Sequence, residues 1–211
     1  MALIKKDLFE EAYTIIKEMI MEGNLKPGER LVQEQIARNL GISRTPVMHA
    51  LRILETEGLL TANPRTKVMQ VRDLSQEELV TIFEIRLCIE PLATRYACQV
   101  ITDEAVEELE KNFTAAFKNK NEKEYRRLDN KLHTYISEIC PNRDLRDFTI
   151  RSGLISRFLI KGLIRPPRET YYEHLQVLEA FRKKQPQEAE KAMREHIKIT
   201  LAYIQRSGKE E

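Results

Sequence analysis

The sequence predicts a mainly α protein in two parts: a small helical head closed by a strand hairpin, residues 1–73, and an all-α six-helix bundle, residues 74–211. Three observations carry this reading. Apolar residues recur at helical spacing along most of the chain. Short β-prone runs flanking a turn occur near 59–62 and 68–72. In the second part the breaks carry Pro141, Pro166-Pro167 and Pro186, where helices stop or begin.

In the head, Leu8, Ala12, Ile15, Ile16, Met19 and Ile20 mark an amphipathic helix that Gly23-Asn24 ends. Lys26-Pro27-Gly28 is a turn. A short helix over about 33–39 turns Ile36, Ala37 and Leu40 inward, and Gly41 makes a tight turn into the next one. That third helix starts at Ser43, a favourable N-cap, and Gly58 terminates it. Pro46 is tolerated because it lies in the first turn, where N–H groups have no helical partner. Val47, Leu51 and Leu54 form its buried stripe. Arg44, Thr45, Met48, His49 and Arg52 occupy the opposite arc, which a groove-reading helix presents to base edges and phosphates. Asn63 to Lys67 link the two strands as a wing, so the order is that of a winged helix-turn-helix and points to DNA.

Charge supports the same partner. The whole chain carries only +2 over 211 residues. Residues 36–72 hold six basic side chains (Arg38, Arg44, Arg52, Arg65, Lys67, Arg72) against Glu55 and Glu57, while 73–211 balance at 24 of each sign. A basic patch on an otherwise neutral protein suits a DNA head joined to a different second domain. The three cysteines, Cys88, Cys98 and Cys140, lack metal-type pairing, and their odd number fits a reducing compartment. No apolar run reaches the roughly 18 residues of a membrane span and no secretory leader pattern opens the chain, so a cytoplasmic protein is expected.

Ser75-Gln76-Glu77-Glu78 is a capping box and opens the second part. Six helices are expected there, at about 76–98, 103–119, 121–140, 143–163, 168–184 and 186–206. Three of the four histidines lie in them. Asp129 and His133 are spaced i, i+4 and share a helix face. His133 sits beside Leu132 and Ile136, His174 in line with Tyr171, Leu178 and Phe181, and His196 with Met193, Ile197 and Thr200. Each imidazole is therefore expected inside the bundle. Buried ionisable groups are costly unless compensated, and a divalent metal held by one carboxylate and three imidazoles would compensate them. Nitrogen-rich ligation suits zinc first, with nickel or manganese as alternatives. Three unrelated, hydrogen-bonded core histidines are the plainer possibility. Arg86 and Glu90 are also i, i+4: either an exposed ion pair worth ~0.3–0.5 kcal/mol, or an arginine facing an anionic ligand.

On these residues the chain resembles the GntR family of bacterial transcription regulators, in the branch with an FCD ligand-binding domain and, by helix count, its VanR-like six-helix group. The head run from Leu31 through Glu34, Ala37 and Leu40-Gly41-Ile42-Ser43-Arg44-Thr45-Pro46-Val47 to Leu60 is similar to the family's motif. Arg86-x-x-x-Glu90-Pro91 and the order Asp129, His133, His174, His196 resemble the effector domain's motifs. The resemblance implies that Arg44 and Thr45 contact operator DNA; Gln35, Met48, His49 and Arg52 on the helices and Arg65, Thr66 and Lys67 on the wing complete the expected DNA-facing set. It also implies that Asp129, His133, His174 and His196 hold a metal, and that Arg86 meets a small carboxylate effector. It implies a non-enzymatic homodimeric regulator, a repressor, on a pseudo-palindromic operator. A metal-sensing regulator is the alternative, and a metal-dependent hydrolase a further one. The chain departs from the family pattern at four places. Met48-His49 replaces a common Arg-Glu, Gln35 stands where an arginine often does, Thr66-Lys67 follows where the wing often has glycine, and Val32 replaces a serine cap. Losing an arginine at position 48 removes a bidentate guanine reader.

Overall fold

The computed structural model describes residues 8–159 and 161–207. Among the described residues the chain forms two compact units, one up to Asp73 with Lys161 and Gly162, the other Leu74–Leu159 together with the residues from Leu163 onward.

The first unit holds α1 (Leu8–Met21), β1 (Arg30–Leu31), α2 (Gln33–Leu40), α3 (Arg44–Thr56), β2 (Leu60–Ala62) and β3 (Met69–Val71). The strands form an antiparallel sheet in the order β1-β3-β2, with Leu60 opposite Val71 and Arg30 opposite Gln70. The hairpin was expected. The two-residue β1 was not, because so short a strand has no readable period; it is fixed by Gly28 N–H on the Val71 carbonyl and Val71 N–H on that of Glu29. Val47, Leu51 and Leu54 are buried with Ala12, Ile16 and Ile20 of α1. Gly41 closes α2 at φ +66°, a left-handed turn that glycine takes without steric cost. Ser43 does hold the N-cap position of α3, but its side chain makes no capping hydrogen bond. Val32 likewise caps α2 without one. A half-buried network braces the far end of α3: Tyr13 Oη donates to Glu57 at 2.5 Å and Lys17 Nζ to the same carboxylate at 2.9 Å.

The second unit holds α4 (Gln76–Ala97), α5 (Asp103–Lys118), α6 (Glu122–Glu138), α7 (Arg143–Arg151), α8 (Leu154–Leu159), α9 (Pro167–Arg182) and α10 (Pro186–Ser207). The capping box is present: Glu78 N–H donates to Ser75 Oγ and Ser75 N–H to the Glu78 carboxylate. The helix expected over 143–163 is broken in two. Gly153 takes φ +59° after Ser152 ends α7, so the six expected segments become seven. α10 packs along α4 and α9, α5 touches α6 and α9, and α4 lies against α6. Pro91 falls inside α4 and cannot donate to the Leu87 carbonyl one turn back; Arg194 on α10 donates to it instead, at 3.3 Å. Cys88, Cys98 and Cys140 are all unpaired thiols. No helix among the described residues is long and apolar enough to cross a membrane.

The two arcs of α3 should respond differently to truncation. Leu54→Ala, at a fully buried position, is expected to cost ~2–5 kcal/mol in chemical denaturation of the head. Met48→Ala, 39% exposed on the opposite arc, should stay within ~0.5 kcal/mol. Equal costs would contradict the assignment of faces.

Candidate DNA-reading face and metal centre

Gln35 on α2, Arg44, Thr45, Met48, His49 and Arg52 on α3, and Arg65, Thr66 and Lys67 on the wing are all exposed. Their chemistry differs by position. Arg44 and Thr45 open α3, so they stand at the N-terminal end that a recognition helix turns toward base edges. His49 is held on one side by Phe9 of α1, their ring centroids 4.2 Å apart. The wing tip is shaped by Asn63, whose Oδ1 accepts both Arg65 N–H and Thr66 N–H at 3.0 Å. Lys67 then takes φ +57°, a left-handed conformation that is strained for a lysine and natural for glycine.

In the second unit Asp129 and His133 come from α6, His174 from α9 and His196 from α10. One ligand atom from each lies within 4.8 Å of all the others. The three histidines are buried. Ring centroids stand 4.7 Å apart for His174 and His196, 5.4 Å for His133 and His196, and 6.2 Å for His133 and His174. An ion bonded at ~2.0–2.2 Å to each donor reaches groups roughly 4 Å apart, so small shifts would gather all four.

Hydrogen bonding decides which nitrogen each ring offers. His133 Nδ1 lies 2.8 Å from Glu90 Oε2, and His196 Nδ1 lies 2.7 Å from Glu173 Oε2. A carboxylate only accepts, so in both rings Nδ1 carries the proton and Nε2 is left with the lone pair that could coordinate an ion. His174 Nδ1 lies 3.0 Å from the Tyr125 hydroxyl, which also meets Thr170 Oγ1 at 3.0 Å. His174 Nε2, buried, lies 3.0 Å from Asp129 Oδ1. Asp129 and His174 thus meet at contact distance beside the other two imidazoles, and the donor set of one oxygen and three nitrogens suits a transition metal.

The charge states of His196 and of the carboxylates agree with ligation. Burial pushes the His196 imidazolium down to about 4 against the opposing pull of Glu173, so the ring is neutral. Burial opposes ionisation of Glu90, but Arg86 and then His133 outweigh it and bring the carboxyl to about 2. Burial likewise opposes Glu173, whose carboxyl His196 and Arg165 bring to about 2. Asp129 is held well below the usual carboxylate range: burial raises it, and the imidazoles, His174 foremost, lower it further than that.

Arg86 corrects the expectation of an exposed ion pair. It is 1% exposed, its Nε and Nη2 both engage Glu90, and Nη2 lies 3.2 Å from His133 Nδ1. The pair with Glu90 is buried, not solvated. Sequence reasoning missed Tyr125, Glu173 and Arg165 altogether. Arg165 is buried and donates to Glu173 at 2.6 and 3.0 Å and to Thr200 at 3.2 Å. Tyr125 precedes Asp129 and His133 at i, i+4, i+8, a spacing that places it on their face of α6.

The chain matches two family descriptions. Residues 8–68 match the bacterial regulatory proteins of the gntR family, and residues 81–198 match the FCD domain. The HTH-type transcriptional regulator YdhC of Bacillus subtilis (strain 168) is 31% identical over 212 residues, covering 94% of this chain and 92% of that protein. The HTH-type transcriptional repressor RspR of Escherichia coli (strain K12) is 25% identical over 195 residues, covering 89% and 85%. In fold the chain is similar to E. coli McbR/YncC, with a TM-score of 0.78 at 22% identity over 95% of this chain and 98% of that one. The helix-turn-helix and the helical unit behind it are thus accounted for together, and the chain belongs to the GntR family as a bacterial DNA-binding transcription regulator with an FCD domain.

Proposed function

We propose that this regulator is a homodimeric repressor whose operator affinity responds to a small organic acid bound beside a divalent metal, zinc in first place with nickel or manganese as alternatives. Residues 1–73 would form the DNA-binding domain and 74–211 the effector and dimerisation domain. The observation that carries the reading is the convergence of Asp129, His133, His174 and His196 inside a helical unit. Their four donors would hold the ion, which when bound supplies a concentrated positive charge to a carboxylate. Arg86, held on Glu90 beside His133, would face the acid from the same side of the centre.

At the DNA, two heads related by a two-fold axis would meet two half-sites of a pseudo-palindrome. Gln35, Arg44, Thr45, Met48, His49 and Arg52 would read or position the major groove, and Arg65, Thr66 and Lys67 would meet backbone or minor groove. DNA of the cell interior is the expected target, in keeping with the unpaired cysteines. An acid can loosen that grip only by binding one spacing of the paired heads more tightly than another.

Arg44→Ala should weaken operator binding by roughly 5- to 150-fold, the ~1–3 kcal/mol of a good base contact, with the circular dichroism of the parent. A gel-shift titration showing parent affinity would remove Arg44 from the interface.

A chelator should lower the melting temperature of the parent by roughly 5–10 °C, because an ion that binds only the native state stabilises it. His174→Ala should melt at the same temperature with or without chelator. A parent that is indifferent to chelator and metal-free by elemental analysis would overturn the metal.

A further inference from the structure

We propose that Glu90 and Glu173 are positioning residues of this centre: each takes the Nδ1–H of one imidazole and is itself held by a buried arginine, so that two Arg–Glu–His relays aim His133 and His196 at one ion. The inference rests on the metal reading above and extends it to residues outside the four donors.

The two relays are built from different parts of the unit. In the first, Arg86 and Glu90 stand one turn apart on α4 and reach His133 on α6. In the second, Arg165 precedes α9, Glu173 lies on α9 and the imidazole is His196 on α10. The order of contacts is nonetheless the same: a guanidinium placing two nitrogens on one carboxylate, and that carboxylate on Nδ1. Glu90 is 2% exposed, and Glu173 is 16% exposed. A carboxylate as deeply placed as Glu90 needs a cation, and a planar fork supplies it with fixed geometry; half-buried Glu173 has the same fork.

The arrangement does three things for a ligand. It selects the tautomer with the lone pair on Nε2. It fixes the ring plane. Through the negative charge at Nδ1 it raises the electron density that Nε2 can donate. The third imidazole differs, since His174 rests on the neutral hydroxyl of Tyr125. The centre would thus carry two strongly donating imidazoles and one ordinary one.

A purely structural reading is also concrete. The Arg–Glu pairs could only pin helices together, in which case replacing a glutamate would alter melting and leave metal affinity alone. Glu173→Gln separates the two. Glutamine keeps an acceptor for Nδ1–H and removes the charge, and Arg165 retains Glu169 and Thr200 as partners. Zn²⁺ affinity of the full chain, read by competition with a chromophoric chelator, and the visible spectrum of the Co²⁺-loaded protein are the readouts.

Glu173→Gln is expected to bind Zn²⁺ ~10–100-fold more weakly at unchanged stoichiometry, with displaced Co²⁺ bands. Tyr125→Phe should lose less. Glu90→Gln should match Glu173→Gln; if Arg86 then prevents folding, Glu173→Gln alone decides. A Glu173→Gln protein with parent Zn²⁺ affinity and the parent Co²⁺ spectrum overturns the relays and leaves the four-donor site standing. A parent that binds neither ion overturns both.

Discussion

Three imidazoles and a carboxylate meet at one point inside an apolar helical unit, and much of the surrounding architecture follows from keeping them there. Burying such groups without partners costs several kcal/mol each. Here every ring has its Nδ1 engaged, by Glu90, Glu173 or Tyr125. Those partners need partners in turn, which brings Arg86, Arg165 and Thr170 into the interior. The polar network therefore spans α4, α6, α9 and α10, the helices that also carry the apolar core of Leu128, Leu132, Val177, Phe181, Met193 and Ile197. A network of this kind is favourable only when complete, so it specifies the relative placement of those helices more sharply than apolar contacts would.

The head obeys a simpler rule. α3 divides into a buried arc and an exposed one, and the core it shares with α1 and the sheet fixes which is which. The exposed arc holds two arginines flanking a methionine and a histidine. Met48 and His49 carry no fixed charge there, which under the proposed function leaves base discrimination to Arg44, Thr45 and Arg52 and to apolar contact; Phe9 packs beside His49. The wing adds cations at Arg65 and Lys67, whose placement is set by the side chain of Asn63 and by backbone strain at Lys67.

The helices were legible because their apolar stripes are long and their boundaries carry Ser75, Thr102, Asn121, Asn142 and paired prolines. β1 was not, since two residues show no alternation. The break at Ser152-Gly153 was missed because one glycine in a periodic run costs only about 1 kcal/mol and does not by itself end a helix. The four clustered side chains, Asp129, His133, His174 and His196, were legible as rare residue types on inward stripes. Glu90, Glu173 and Arg165 were not recognised as supports, because charged residues on helices are usually solvated, and only packing between α4, α6, α9 and α10 turns these inward. The same packing decided the fate of Arg86, whose neighbour four residues on was visible in sequence while the third member, His133, was 47 positions away.

Anomalous diffraction from crystals grown with Zn²⁺, recorded on both sides of the zinc absorption edge, tests the central claim most directly. The account predicts one strong anomalous peak enclosed by Asp129, His133, His174 and His196, with Nε2 of each ring toward it. A zinc-supplied crystal with no peak there, its three imidazoles bonded only to protein, would contradict it.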